Sequence, residues 1–285
     1  MIESVGIVAK PGRDDCSTLL EELLDRLAVH DVRVSLDKVA AGYLGRSKGF
    51  DRQKLPEKFD LIIVLGGDGT LLSVARGIKS EKIPILAVNL GGLGFMMTTG
   101  PDELVDHLGR VLAGDFHTQC RSVLRVEVIR DGELIGDYNA LNDVVVNKSA
   151  VARVLLLDAY VDGEFVCSYR ADGLIASTPT GSTAYSLAAG GPVIFPSVAA
   201  ICVTPICAHT LTNRPVVLPE MSTVEVVIQR GDDDSYLTVD GQIGSSLRLH
   251  DHIRVQNADH QVQIVQPSKV SFFDVLRHKM KWGQH

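Results

Sequence analysis

Short apolar runs alternate with segments of helical periodicity through the first hundred or so residues. Residues 17–27, for example, repeat apolar side chains at the three- and four-residue spacing of a helix, and Ser17 is a suitable N-cap. Strands that alternate with helices form βαβ units, so this region predicts an α/β domain with a mostly parallel sheet. The predicted strands are 5–9, 32–36, 61–65 and 85–88, the predicted helices are 17–27, 71–77 and 101–113, and a loop is predicted over 41–58.

After about Cys120, strand-like runs follow one another without long helices between them. Asp131-Gly132 and Asp162-Gly163 stand between such runs, where a tight hairpin turn favours residues that tolerate positive φ. This half predicts an antiparallel, sandwich-like β domain. The predicted strands are 124–129, 141–147, 154–161, 165–169, 224–229, 236–239 and 261–265.

The predicted fold is therefore an N-terminal α/β domain with a parallel sheet, followed by an all-β sandwich-like domain. We place the first domain at residues 1–119 and the second at 120–265. The final segment, 266–285, has helical character and is expected to pack back on the first domain.

Composition narrows the class of protein. The 285 residues carry 28 basic and 35 acidic side chains, a net charge of -7, which disfavours nucleic acid or an anionic membrane as the main partner. The five cysteines are scattered without a CxxC pair, as is usual for free thiols in a reducing cytosol. We find neither a signal-peptide pattern nor an apolar run of the ~20 residues that a bilayer requires. The expectation is a cytoplasmic protein.

The predicted strand 61–65 runs directly into a glycine-rich turn with the sequence GGDGT, residues 66–70. Glycines between a strand and a helix N-terminus let an anion approach unpaired backbone N–H groups, which suits phosphate. The turn is neither a GxGxxG fingerprint nor a P-loop, since no lysine follows it. Phosphate would repel the Asp68 carboxylate at its centre, unless that carboxylate binds a metal ion, accepts a proton, or serves as a turn or cap residue.

Two further stretches are rich in polar side chains. Six Ser and Thr hydroxyls and one Tyr hydroxyl lie between Ser177 and Ser186, a density that suits a loop binding sugar hydroxyls and phosphate before a helix opens at Ala184. The alternative is a turn whose hydroxyls bond the local backbone. Asn142-Asp143 could hold two ribose hydroxyls or a base edge, although such a pair is also ordinary turn chemistry.

These motifs, taken in order, resemble those of the bacterial NAD kinases over most of the chain. GGDGT alone is shared with lipid kinases of the diacylglycerol type, and phosphofructokinases have a related motif, whereas the stretch TPTGSTAY at 178–185 is highly specific. One departure is Ala208, where many relatives have proline. The stretches that carry the resemblance are GGDGT (66–70), ND (142–143), DGLIASTPTGSTAY (172–185), PICAHTL (205–211) and DGQ (240–242).

The resemblance implies an active site between the two domains, completed in a homodimer or homotetramer, and transfer of the γ-phosphoryl of ATP to the 2′-hydroxyl of the adenosine ribose of NAD. Asp68 matches the residue proposed as proton acceptor, and Phe95 matches an aromatic near the adenine. A divalent ion, Mg²⁺ or Mn²⁺, is expected to arrive with ATP, since the sequence shows no set of protein-only metal ligands. The predicted nucleotide-binding positions are Gly66, Gly67, Gly69, Thr70, Phe95, Asn142, Asp143, Arg153, Arg170, Asp172, Thr183, Ala184, Tyr185, Ser186, Ala188 and Gln242.

Two other classes of protein share part of this pattern. A lipid kinase with GGDGT would need an apolar lipid entry, and the Thr-rich stretch gives it no support. A non-catalytic dinucleotide sensor that had kept the fold is disfavoured because Asp68 and the other matched polar positions are all present.

Overall fold

A computed structural model of the chain describes residues 2–13, 16–53, 55, 59–79, 83–92, 94–97, 99–148, 154–230, 235–266 and 271–282. The chain forms two compact units. The first contains Met1–Cys120 and Val262–His285, and the second contains Arg121–Gln261.

The first unit is built on a parallel sheet in which the strand order is β2-β1-β3-β4. Every residue of β1, β3 and β4 is buried, as expected for parallel strands covered on both faces. Its helices and strands up to the domain boundary are β1 (Ser4–Ala9), α1 (Cys16–Val29), β2 (Arg33–Leu36), α2 (Lys38–Tyr43), β3 (Leu61–Gly66), α3 (Asp68–Ala75), β4 (Ile85–Asn89) and α4 (Pro101–Leu112).

Three details of this unit differ from the prediction. Helix α1 begins at Cys16, so Ser17 lies in its first turn and not at the N-cap. The predicted loop 41–58 begins inside helix α2, whose N-cap Asp37 accepts a hydrogen bond from the Ala40 N–H at 2.8 Å. Its small residues gave no periodicity to detect. Helix α3 starts at Asp68, because Gly67 is extended and the helical turn begins directly after it.

The second unit contains two antiparallel sheets. One runs β12-β11-β10-β7-β14-β15, and the other contains β16-β13-β8-β9 with β5 paired to β16 and β6. The elements that lie wholly or partly in this unit are β5 (His117–Arg130), β6 (Glu133–Ala140), β7 (Asp143–Asn147), β8 (Leu155–Val161), β9 (Glu164–Ala171), β10 (Gly173–Ser177), a 3₁₀ turn (Gly181–Thr183), α5 (Tyr185–Ala188), β11 (Ala200–Ile206), β12 (Val216–Pro219), β13 (Val224–Arg230), β14 (Ser235–Val239), β15 (Ile243–Leu247) and β16 (His252–Gln266).

Side chains from both sheets of this unit share one apolar core. Val146 and Leu174 from the six-stranded sheet belong to the same buried cluster as Leu157, Val226 and Val255 from the other sheet. Packing of two sheets on a common core is the defining feature of a β-sandwich, so the predicted fold class is confirmed.

The hairpin predictions are confirmed in their geometry. Asp131 and Gly132 have φ of 51° and 82° between β5 and β6, and Asp162 and Gly163 have φ of 53° and 83° between β8 and β9. Positive φ at both central residues is what a type I′ turn requires.

The end of the chain returns to the first unit. Ile264, near the end of β16, pairs in parallel with Ile85 of β4. Helix α6 (Phe272–Met280) follows and is closed at its start by a capping box between Ser271 and Asp274. Among the residues that the structure describes, no helix is long and apolar enough to cross a membrane.

Candidate active site

The glycine turn after β3 is shaped by close packing on one side and open space on the other. A Cβ added at Gly66 would lie 2.5 Å from Thr70 Oγ1 and 3.1 Å from Lys10 Cβ, whereas one added at Gly67 would meet nothing within 4 Å. Gly66 is therefore required by its neighbours, and Gly67 leaves the backbone accessible in front of α3. The β1–β3 register pairs Ala9 with Leu65, which places Lys10 beside the turn. No local sequence pattern points to this lysine, because the strand pairing that brings it there is long-range.

The Asp68 carboxylate is held by a second loop and does not cap its own helix. Its Oδ2 accepts a hydrogen bond from the Phe95 N–H at 3.1 Å, and its Oδ1 accepts one from the Met96 N–H at 3.4 Å. The N-cap of α3 is Gly67, which has no side chain to cap with. Asp68 is only half-buried. The structure thus removes the helix-cap interpretation and leaves an oriented, accessible carboxylate at the head of α3.

Gly94 lies directly against this carboxylate. A Cβ added at Gly94 would stand 2.4 Å from Asp68 Oδ1 and 3.0 Å from its Cγ, closer than real Cβ contacts allow. The glycine is needed for the room it leaves to Asp68.

In the second unit, Asn142 and Asp143 are fixed by the carboxylate of Asp240. That carboxylate accepts hydrogen bonds from the backbone N–H groups of Leu141 at 3.2 Å, Asn142 at 2.8 Å and Asp143 at 3.3 Å. In return, the Asp240 N–H donates to the carbonyl of Asp143 at 2.9 Å. Asp240 was not among the predicted site residues, because 97 positions separate it from Asp143 and sequence spacing does not show that they meet.

Burial and a neighbouring charge change the acidity of Asp143. Its side chain is 4% exposed. Burial, together with the negative charge of Asp240, raises the pKa of Asp143 to about 7, and a hydrogen bond from the Tyr185 N–H opposes the rise. A ligand hydroxyl that donates to Asp143 would favour the charged form in the same way that the Tyr185 N–H does.

Four of the predicted positions line one cleft of this unit. The cleft has a volume of about 370 Å³, and its lining includes two carboxylates, those of Asp143 and Asp240, and the exposed side chain of Tyr185. Such a mixture of carboxylate, amide and aromatic groups suits a sugar and a base. The residues that line it are Asn142, Asp143, Val145, Asn147, Ala184, Tyr185, Thr238, Asp240 and Gly241.

The hydroxyls of the Ser/Thr-rich stretch bond mainly to groups of the protein itself, which favours the alternative of a turn whose hydroxyls are satisfied internally. The Thr178 hydroxyl donates to the Leu141 carbonyl at 2.6 Å, and the Ser182 hydroxyl donates to the Pro179 carbonyl at 2.6 Å. The physical reason is burial, since a hydroxyl without water nearby must find a partner in the protein.

The same holds at the end of the stretch. Thr183 donates to the Thr180 carbonyl at 3.2 Å, and the fully buried Ser186 shares a hydrogen bond of 2.9 Å with Thr204. The stretch also begins inside a strand, since β10 reaches Ser177. Thr180 is the exception, because its buried hydroxyl has no partner among the described residues.

The remaining predicted positions lie outside this cleft or beyond the described residues. Asp172 forms an ion pair of 2.9 Å with Lys148. Arg170 lines a different cleft, of about 460 Å³, together with Arg230. Of the other predicted positions, Gly69 is exposed in the first turn of α3, Ala188 ends helix α5, and the Gln242 N–H donates to the Val239 carbonyl at 3.0 Å. Arg153 lies outside the described residues.

Comparison with known proteins gives matches along the chain. The family model for the ATP-NAD kinase N-terminal domain matches residues 5–116, and that for the ATP-NAD kinase C-terminal domain matches residues 141–267. The NAD kinase of Solibacter usitatus is 47% identical over 284 residues, covering 100% of this chain and 99% of the relative. That of Geobacter sulfurreducens is 44% identical over 283 residues, covering 99% and 100%.

Solved structures agree in fold. Yeast NADH kinase complexed with NADH superimposes with a TM-score of 0.91 at 27% identity, covering 100% of this chain and 89% of that one. An NAD kinase from Archaeoglobus fulgidus in complex with ATP gives a TM-score of 0.75 at 24% identity, covering 98% of both chains, and supports the fold alone. With two matched domains and full-length relatives at this level of identity, the chain belongs to the NAD kinase family.

Proposed function

We propose that this enzyme transfers the γ-phosphoryl group of ATP to the 2′-hydroxyl of the adenosine ribose of NAD, giving NADP. The observation that carries the proposal is the Asp68 carboxylate, which two backbone N–H groups hold in an accessible position beside an open glycine turn. The named relatives and both matched domains support the same reaction.

Asp68 acts as the proton acceptor. A secondary hydroxyl that attacks phosphorus must lose its proton, and a carboxylate within hydrogen-bond reach can take it late in a loose transition state. Each Asp68 oxygen accepts one backbone N–H and retains lone-pair capacity for the ribose hydroxyl. The hydrogen bonds from these N–H groups also fix the direction from which the ribose hydroxyl can approach the carboxylate.

The glycine turn binds phosphate oxygens. A Cβ at Gly67, the N-cap of α3, would meet nothing within 4 Å, so phosphate oxygens can approach the backbone at the start of this helix, where the helix dipole favours anions. A divalent ion, Mg²⁺ or Mn²⁺, would offset the charge of the triphosphate. In the described part of the chain, no three His, Cys, Asp or Glu side chains are grouped as metal ligands, so the nucleotide phosphates would supply most of the ligands, with Asp68 as the nearest carboxylate of the turn.

The cleft around Asn142 and Asp143 binds the dinucleotide. Asp143 accepts hydrogen bonds from ribose hydroxyls, Asn142 both donates and accepts, and Tyr185 offers its exposed ring to a base. The predicted positions that complete the proposed nucleotide contacts are Gly66, Gly69, Thr70, Phe95, Arg153, Arg170, Asp172, Thr183, Ala184, Ala188 and Gln242. Ser186 is fully buried and would support this site from behind through its bond to Thr204.

We also propose a cytoplasmic homodimer or homotetramer. Free thiols support the compartment. Leu211 and Met221 are 94% and 81% exposed, which supports a surface covered by a second copy.

The test is NADP formation by purified protein with ATP, Mg²⁺ and NAD. Asp68→Asn should lower kcat by about 10²–10⁴-fold, because the amide cannot accept the proton, while NAD binding measured by calorimetry persists. NAD binding by the wild-type protein without any NADP would instead identify a non-catalytic sensor. Phosphorylation of diacylglycerol in place of NAD would identify a lipid kinase.

A further inference from the structure

The loop that holds Asp68 is itself held by one buried side chain, that of Asn89. Asn89 is the last residue of β4 and pairs with Gly66 of β3, so it stands beside the glycine turn. It is 8% exposed. Its position is fixed by the sheet, which makes it a rigid support.

Among the described residues, the side chain of Asn89 makes three hydrogen bonds, all to Gly91, Gly92 and Met97. Its Oδ1 accepts from the Gly91 N–H at 2.9 Å, while its Nδ2 donates to the Gly92 carbonyl at 2.9 Å and to the Met97 carbonyl at 3.2 Å. One side chain therefore joins the beginning of the loop to its end.

Between those two ends lie the groups that touch Asp68. The N–H groups of Phe95 and Met96 donate to the carboxylate, and Gly94 packs against it. The Gly94 N–H donates to the Met97 carbonyl at 3.3 Å. That carbonyl therefore accepts hydrogen bonds from both Gly94 and the Asn89 side chain.

We propose that Asn89 is a positioning residue for the phosphoryl transfer, which acts by fixing the 91–97 loop so that its N–H groups aim the Asp68 carboxylate. The inference rests on the proposed role of Asp68 as proton acceptor. In the described part of the chain the Asn89 side chain bonds to Gly91, Gly92 and Met97 and not to Asp68, so it acts through the loop.

An amide is required here because the site needs one acceptor and two donors on a short side chain. Asn89→Asp keeps the size and the bond to the Gly91 N–H. It loses both donors and places a carboxylate oxygen against the carbonyls of Gly92 and Met97. The loop end should move away, and the N–H groups that orient Asp68 should move with it.

The experiment measures kcat, KM for NAD and the thermal midpoint of Asn89→Asp. We expect kcat to fall about 10–100-fold, because a 1 Å misplacement of a catalytic group can cost about 10²-fold, with KM for NAD changed less than about threefold. Asn89→Ala repeats the test without an added charge. Asn213→Asp, at a partly exposed asparagine bonded to Thr210, makes the same chemical change elsewhere and should leave kcat unchanged.

A double-mutant cycle separates positioning from a structural role. In the Asp68→Asn background, where the proton acceptor is gone, Asn89→Asp should lower the residual rate by less than about twofold. Slow turnover is followed by enzymatic cycling of accumulated NADP.

Three results would overturn the inference. Wild-type turnover by Asp68→Asn would refute the proposed role of Asp68 and this inference with it. If Asp68→Asn is impaired, two outcomes refute the inference alone. One is an Asn89→Asp protein with a lower thermal midpoint and wild-type kcat. The other is an equal loss of rate from Asn89→Asp in both backgrounds.

Discussion

Replacing Gly94 by alanine should slow the enzyme while leaving its substrates bound. The new Cβ would stand 2.4 Å from Asp68 Oδ1. An ordinary contact needs about 3.5 Å, so the carboxylate or the loop must move by about 1 Å.

The expected size of the effect follows from this displacement. Misplacing a catalytic group by about 1 Å costs about 10²-fold in rate, or about 3 kcal/mol of transition-state stabilisation. The displaced carboxylate would also lose its alignment with the N–H groups of Phe95 and Met96. Steady-state assays of NADP formation should therefore show a lower kcat with KM for NAD nearly unchanged.

Gly92→Ala is the matched control in the same loop. A Cβ at Gly92 would meet nothing within 4 Å, so kcat should stay within about twofold of wild type. Wild-type kcat in Gly94→Ala would refute the reasoning, because it would mean that the position of the Asp68 carboxylate does not govern the rate. A fall in both variants would instead indicate general damage to the loop.

Two further predictions concern the second unit. Because burial and the charge of Asp240 raise the pKa of Asp143 to about 7, its contribution to stability is fully present at pH below about 4 and is lost as pH rises through 7. Asp143→Asn, which stays neutral, should thus gain thermal stability relative to wild type between pH 5 and 8, and a pH-independent difference by calorimetry would contradict this. Gly181→Ala should lower the urea midpoint strongly, by several kcal/mol in unfolding free energy, because its Cβ would lie 1.9 Å from the Asn142 carbonyl oxygen. Gly109→Ala, in the exposed face of α4 with nothing within 4 Å, should raise the midpoint slightly, and similar behaviour of both variants would refute the packing argument.

The sequence was sufficient to predict an α/β region followed by an antiparallel β region, and its GGDGT motif pointed to Asp68 as a candidate site residue. Buried strands such as β3 are continuous apolar runs, and hairpin turns such as Asp131-Gly132 have a local chemical signature. Strands β11 and β12 were missed because a short apolar run does not reveal its partner strand.

The supports of the candidate site were less predictable than its centre. Asp68 was identified by a motif, whereas Asn89 and Asp240 act on backbone groups that only the folded chain brings near them. Lys10 reaches the glycine turn through the pairing of β1 with β3, which no local pattern encodes. A hydrogen bond to a backbone group can form with any residue type at that position, so such a contact cannot be predicted from the residue types and their spacing in the sequence.

The contact between Gly94 and Asp68 has a consequence for how these two positions can change during evolution of the family. A lineage that lost catalysis would be free to replace Asp68, and position 94 could then accept a side chain, since the obstacle at 2.4 Å is that carboxylate. The hydroxyls of Thr178 and Ser182 would be retained, because they hold the fold and not the reaction. An aspartate at 68 together with a glycine at 94 is therefore a better indicator of an active relative than the longer and more recognisable Thr-rich stretch.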